Sequence, residues 1–197
     1  MAYRNFTFQK IEKDFGVLPA YQTLFDNIEL VQPSIRLVQD IEDTSDMALT
    51  TEKMLSEAFI FPILQDIRVR NRTTIRLFSG NHLDVDKKLG LNGECDFILT
   101  KSPQIVLKSP IICLAEAKKG EVSDLNSLAQ ATAQMIGARI MNRRDNAHET
   151  IYGVCTSGYE WLFLKLENDT ILIDKERYTI QNLPLLLGVL QHIVDLY

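Results

Sequence analysis

The run IICLAEAK at residues 111–118 is apolar almost without interruption and then closes in charge. A strand that is covered on one face alternates apolar with polar residues. An unbroken apolar run of this length therefore predicts a central strand covered on both faces. Upstream, ECDFILT (residues 94–100) reads as a second strand, and GN at 80–81 as a turn. Downstream, Ser123 is the expected cap of a long helix over 124–142. Leu125, Leu128, Thr132, Met135, Ile136 and Ile140 form its buried stripe. Ala129, Ala131, Ala133, Gly137 and Ala138 let that helix lie close to a sheet. Further strands are predicted at 150–156, 161–166 and 170–174, and a last amphipathic helix at 183–196 behind Asn182 as a cap. Before the central run, residues 47–66 read as a helix capped by Thr50 or Thr51 and kinked at Pro62. Residues 72–79 read as a strand, and Leu83 and Val85 suggest another short one. The order implies an α/β (α+β) fold, a mixed central β-sheet flanked by helices. Residues 1–45, with a short amphipathic helix around Phe6, Phe8, Ile11 and Phe15, form an N-terminal extension packed on a main domain of residues 46–197.

A chain of 197 residues with 46% hydrophobic and 24% charged residues can bury a core without disulfides or metal staples. Disorder, fibres and disulfide miniproteins are excluded. Cys95, Cys113 and Cys155 are odd in number and lack any CxxC pair, which suits free thiols in a reducing compartment. The first residues, MAYRNFTFQK, lack the apolar core of a secretory signal. The greasiest stretch, 183–190, is far shorter than the roughly 20 residues that a membrane span needs. A soluble cytoplasmic protein without membrane contact is expected.

Net charge is −5, but it is unevenly spread. Residues 1–66 carry −6, residues 67–144 carry +6 and residues 145–197 carry −5. In the cationic middle, Arg68, Arg70, Arg72 and Arg76 form a run with no acid between Asp66 and Asp84. Arg139, Arg143 and Arg144 form a second cluster. Local positive potential attracts phosphate more than the global sum opposes it, although a plain solvated face has the same composition.

The chain has no GxxxxGK[ST] loop, GxGxxG, GxSxG or HExxH, and His82, His148 and His192 lie far apart. Carboxylates remain. Asp96 lies on one predicted strand, and Glu116-Ala117-Lys118 ends the next, 20 residues later. Side chains alternate on a strand, so Glu116 and Lys118 share a face. If the two strands are neighbours, Asp96 comes alongside Glu116. Two carboxylates at the tip of a buried strand are costly unless something neutralises them, and a hard cation does so. Glu94 shares the parity of Asp96 and is a possible helper.

GECDF, then IICLAEAKKG, then a helix bearing Gln130 and Gln134, then YGVCTSGYEWLFLKL together resemble the PD-(D/E)XK nuclease superfamily, whose core is restriction-endonuclease-like. The resemblance runs over roughly residues 50–175. Cys95 stands where that family often has proline. The resemblance implies that Asp96 and Glu116 bind Mg²⁺ or Mn²⁺, with the Ala117 carbonyl as a further ligand. It implies that Lys118 orients or activates the attacking water and steadies the scissile phosphate. Glu57, on the helix resembling the family's first, would reach the metal through water. Gln130 would hold the site's hydrogen bonds or touch nucleic acid, with Gln134 as the other candidate. Arg68, Arg70, Arg72, Arg76, Lys119 and Arg139 are the expected nucleic-acid contacts, together with Gln134.

The leading expectation is a Mg²⁺-dependent endonuclease acting on DNA, working as a homodimer because cutting a duplex needs two sites, with a possible targeting partner protein. A catalytically inactive nucleic-acid-binding module on the same fold is the first alternative. A protein-interaction subunit is the second, its acidic stretch Asp40, Glu42, Asp43 and Asp46 docking a basic partner.

Overall fold

The computed structural model describes residues 2–44 and 46–197. In chain order these form α1 (Phe8–Phe15), β1 (Leu18–Gln22), α2 (Ile35–Asp43), α3 (Glu52–Leu55), α4 (Phe61–Arg70), β2 (Arg76–His82), β3 (Glu94–Thr100), β4 (Ile111–Ala117), α5 (Leu125–Arg144), β5 (Ile151–Thr156), β6 (Glu160–Glu167), β7 (Thr170–Asp174), β8 (Tyr178–Thr179) and α6 (Leu183–Asp195). The strands make one mixed eight-stranded sheet in the order β1-β7-β6-β5-β4-β3-β2, with β8 paired to β6. Helices flank it on both faces, as the order of elements implied.

β4 is buried along all seven residues. Its neighbour β3 is antiparallel, and its neighbour β5 is parallel. Two parallel strands cannot be joined by a hairpin and need a crossover. α5 is that crossover, which is why it lies over the strand that carries Glu116. Ala129, Ala133, Met135, Ile136 and Ala138 of α5 share one buried cluster with Leu114, Ile151 and Cys155, and with Tyr3, Phe6 and Ile11. The opposite face of the sheet packs Ile63, Leu64 and Ile67 of α4, Leu37 of α2 and Leu186 and Leu190 of α6 against Ala115, Val154, Trp161 and Phe163. The three cysteines are buried free thiols.

Several elements differ from the expectation. The helix predicted over 47–66 begins at Glu52, behind the cap Thr51, whose side chain accepts the Met54 N–H at 3.1 Å. It does not end at Asp66 but runs on to Arg70. Just before the proline the helix widens into a π-turn, Ser56–Ile60, where the Phe61 N–H reaches back to Ser56. A proline lacks the N–H that a regular turn would use, and a π-turn is one way for a helix to absorb such a fault. The strand predicted at 72–79 is displaced to 76–82, because residues 71–74 turn behind the helix end. Leu83 and Val85 extend the β2–β3 hairpin by two hydrogen bonds of 2.9 Å, to Gly93 and Leu91 respectively. Asp124, not Ser123, caps α5, accepting the Ser127 N–H at 2.9 Å.

The N-terminal segment contributes more than a packed helix. Its β1 joins the sheet edge parallel to β7, and α2 was not foreseen. LPAYQ has no alternation, contains Pro19 and is exposed throughout, so nothing in its composition marks a strand. The boundary expected at 45/46 falls on Ser45, outside the described residues.

α6 approaches the loop after β1 so closely that Gly188 has no room for a side chain. A Cβ there would stand 2.3 Å from the Glu29 carbonyl oxygen and 2.7 Å from Ile28 Cγ2. Backbone cannot yield as a flexible side chain does. Gly188→Ala is expected to destabilise the fold by about 1–3 kcal/mol. Thermal denaturation should show a midpoint several degrees lower, since roughly 2–4 °C follows each kcal/mol at this size.

Candidate active site

Glu116 is the sixth residue of β4 and only 4% exposed. It faces α5, because alternation along β4 sends Ala115 and Ala117 to the other layer. One helical turn separates Gln130 from Gln134, so both reach down to it. Gln134 Nε2 donates to Glu116 Oε2 at 2.7 Å. Gln130 Nε2 donates to Oε1. Lys118, on the same face two residues on, donates from Nζ to Glu116 Oε1 at 2.9 Å and to Gln130 Oε1 at 3.4 Å. The backbone of Lys118 is itself held by the Thr156 carbonyl at 2.8 Å. Gln134 is fully buried, and its Oε1 has no partner among the described residues.

Asp96 arrives from β3. The register pairs Phe97 with Ala115, so the strands bring Asp96 to the level of Glu116. Its Oδ2 accepts the Ala117 N–H at 2.7 Å. Burial, then the other charges, sets the ionisation of the group. Burial and the Asp96 charge raise the Glu116 carboxyl to about 7. Burial raises Asp96 also, against the Ala117 N–H and Lys118, which lower it. Burial pulls the Lys118 ammonium down, but Glu116, Asp96 and Glu52 together outweigh it and leave it raised. Lys118 is therefore a firmly charged donor at neutral pH.

Asp96 and Ala117 open onto a cleft of about 490 Å³ lined also by Glu94, Glu52, Glu57 and Phe61 among others, and Glu116 lies behind them on the α5 side of β4. Gly80 of β2 adopts a left-handed φ of +66° at its wall, and a Cβ there would meet Glu94 Oε1 at 3.3 Å. Glu57 lines the cleft, exposed and 3.9 Å from Lys53. Glu52 was not singled out from the sequence, yet its Oε1 accepts the Lys119 N–H at 3.1 Å, next to the end of β4. The only local signal is its place directly after the Thr51 cap. That the helix start meets the end of β4 is a tertiary fact.

The structure thus gathers Asp96, Glu116, Ala117, Lys118, Gln130 and Gln134, with Glu57 at the cleft and Lys119 beside it. It does not gather the arginines there. Arg70 is ion-paired with Asp66 at 2.7 Å and bonded to the Gln32 carbonyl. Arg76 pairs with Thr100, whereas the cleft end of the same two strands is His82 opposite Glu94. Six residues of strand separate the two ends, about 20 Å. The Arg72 carbonyl accepts from Arg76 Nη1 at 2.7 Å, and Arg68 lies in the last turn of α4 with Arg70. Arg139 is 8% exposed and spends its guanidinium on the Asn168 carbonyl. Gln134 is sealed between α5 and Glu116 with no exposed surface, which fits a role in holding the carboxylate and not direct contact with nucleic acid.

Among the described residues no three His, Cys, Asp or Glu side chains converge on one point. Two carboxylates and a backbone carbonyl still suit a small hard cation, which commonly takes one or two carboxylates and keeps several waters. The raised Glu116 and Asp96 are what a carboxylate pair only partly compensated by Lys118 produces, so the donor chemistry fits. Among the described residues no helix is long and apolar enough to cross a membrane. No family model, curated protein or solved structure matches the chain.

A raised carboxyl makes stability depend on pH. The contribution of neutral Glu116 is fully present below its ordinary value of 4.5 and is lost as pH rises through about 7. Glu116→Gln should therefore gain on the parent across that window in metal-free buffer, by up to about 1.4 kcal/mol per pH unit. Urea denaturation of both proteins at several pH values measures it. A constant difference across the window would show that Glu116 is not the titrating group.

Proposed function

We propose that the chain is a metal-dependent nuclease that hydrolyses phosphodiester bonds at Asp96, Glu116 and Lys118, with DNA as the substrate. The observation that carries this reading is the end of β4. Two carboxylates meet there, Asp96 at the cleft wall held by the Ala117 N–H and Glu116 behind it held by Gln130 and Gln134, with a charged lysine 2.9 Å from Glu116. A structural ion pair would need neither a second carboxylate nor two amides, one of them fully buried.

Asp96, Glu116 and the Ala117 carbonyl would hold Mg²⁺ or Mn²⁺. Bound there, the cation supplies Lewis acidity and lowers the pKa of its water. Gln130 and Gln134 keep the Glu116 carboxylate aimed. Lys118, kept protonated by its three acidic neighbours, donates to the water or to the phosphate oxygen that gains charge, and does not take a proton. Glu52 and Glu57 at the rim stand where water-mediated contacts form. The cleft presents Glu52, Glu57, Glu94 and Asp96 against Lys53, so it repels a polyanion until a cation is bound. Lys119 is the exposed cation closest in sequence to the site. A homodimer would place two such sites on a duplex.

A second reading draws on the closed ring of Glu116, Lys118 and Gln130. Each satisfies the others without a cation, as in a module that binds and does not cut.

Cleavage is tested with supercoiled, linear and single-stranded DNA and with RNA, in Mg²⁺, Mn²⁺ or EDTA. Glu116→Ala, Asp96→Asn and Lys118→Ala are each expected to slow metal-dependent cleavage at least about 100-fold. Equal rates in parent and variants overturn the assignment. Absence of cleavage on every substrate favours the second reading. Because the cleft is acidic, retention of DNA should also be at least tenfold tighter in Ca²⁺ than in EDTA, the reverse of ordinary salt screening. Gel retardation at matched ionic strength reads it.

A further inference from the structure

A second concave surface adjoins the cleft. It is a groove of about 760 Å³ between α2 on one side and the helical run of residues 57–70 on the other. Leu37, Ala58, Phe61, Pro62 and Val69 supply apolar lining. Phe61 and Val69 are 41% and 50% exposed, an unusual degree for apolar side chains lying along one groove. From Glu57 to Arg70 the wall is about 20 Å long, near four helical turns.

Acids outnumber bases at the rim, Asp40, Asp43, Glu57 and Asp66 against Arg36 and Arg70, and after the internal ion pairs Asp43 keeps the uncancelled charge. Both arginines are engaged within the chain. Arg70 bridges Asp66 and the Gln32 carbonyl, and Arg36 stands 3.6 Å from Asp40. Asp43 ends α2, where the helix carbonyls add partial negative charge of their own. Glu42 and Asp46 lie just beyond. An apolar floor under an acidic rim complements a helix with an apolar stripe and basic flanks, the general helix-in-groove mode of recognition.

We propose that this groove docks a basic amphipathic helix of a partner protein, about three to four turns long. Its apolar residues, spaced three and four apart, lie over Phe61, Pro62 and Val69. Its lysines or arginines meet Asp40, Asp43 and Glu57. The groove and the cleft share Glu57 and Phe61, so the docked helix stands at the edge of the candidate active site. The inference does not depend on the nuclease reading.

The probes are three synthetic helical peptides with one apolar stripe and lysine, glutamine or glutamate at every other position. Fluorescence anisotropy of labelled peptide reads binding to the full chain. Saturable one-to-one binding is expected in the order lysine, glutamine, glutamate, weakening with salt for the lysine peptide. Val69→Asp should weaken the lysine peptide at least about tenfold. The surface double variant Asp40→Lys with Asp43→Lys should invert the order of the peptides. It serves equally if Val69→Asp does not fold by circular dichroism. Hydrogen exchange should slow at residues 35–43 and 61–70 on binding. No saturable binding of the lysine peptide, binding indifferent to both sets of variants, or equal binding of a scrambled peptide without helical periodicity overturns the proposal. So does sedimentation showing a dimer of the chain that Val69→Asp dissolves, which assigns the groove to a second copy.

Discussion

A carboxylate almost wholly removed from water sets the terms for this structure. Transfer of an isolated charge into a protein interior costs several kcal/mol even after relaxation. Glu116 nonetheless sits near the end of a strand buried on both faces, under the middle of the longest helix. The fold meets that cost with Gln130, Gln134 and Lys118, and it meets it only in part. Glu116 still holds a proton more tightly than a free glutamate, and Asp96 makes the tension greater. A Gln134 oxygen left without a partner is a further sign that polar groups here are arranged around something other than stability.

The topology explains why these residues meet. β4 lies where its two neighbours run in opposite senses, β3 antiparallel and β5 parallel. The antiparallel neighbour begins where β4 ends, so its first residues deliver Asp96. The parallel neighbour ends where β4 ends, so Thr156 is there to hold the Lys118 backbone. The crossover that parallel pairing requires is α5, which places two glutamines one turn apart above Glu116. On the far layer, the start of the helical run at residue 52 touches the loop after β4 through Glu52 and closes the cleft.

Charge divides the surface differently from the chain. The cationic middle segment does not become one cationic face. Arg70 and Arg139 are absorbed by internal bonds, and Arg76 lies at the end of the sheet away from the cleft. The groove is bordered by carboxylates from the N-terminal third, and the cleft by Glu52 and Glu57 from that third together with Glu94 and Asp96. The same acidity suits a cation in the cleft and a basic helix in the groove, two different physical uses of negative potential.

The chain's local pattern was enough to specify the mixed sheet, its central strand and the face shared by Glu116 and Lys118, because an apolar run and a two-residue period are local signals. It also marked Asp96, Gln130 and Gln134 through their spacing and their resemblance to a nuclease core. It left β1 hidden, because an exposed edge strand containing proline has no pattern to read. It placed the end of the first long helix at 66, four residues early, because beyond Ile67 the run is basic or exposed and carries no apolar stripe to read. Only the packing of distant elements brings Glu52 to the cleft, seals Gln134 against Glu116 and leaves Arg70 and Arg76 away from the cleft. Those outcomes depend on which elements touch, and a side chain's neighbours across the fold leave no mark in its neighbours along the chain.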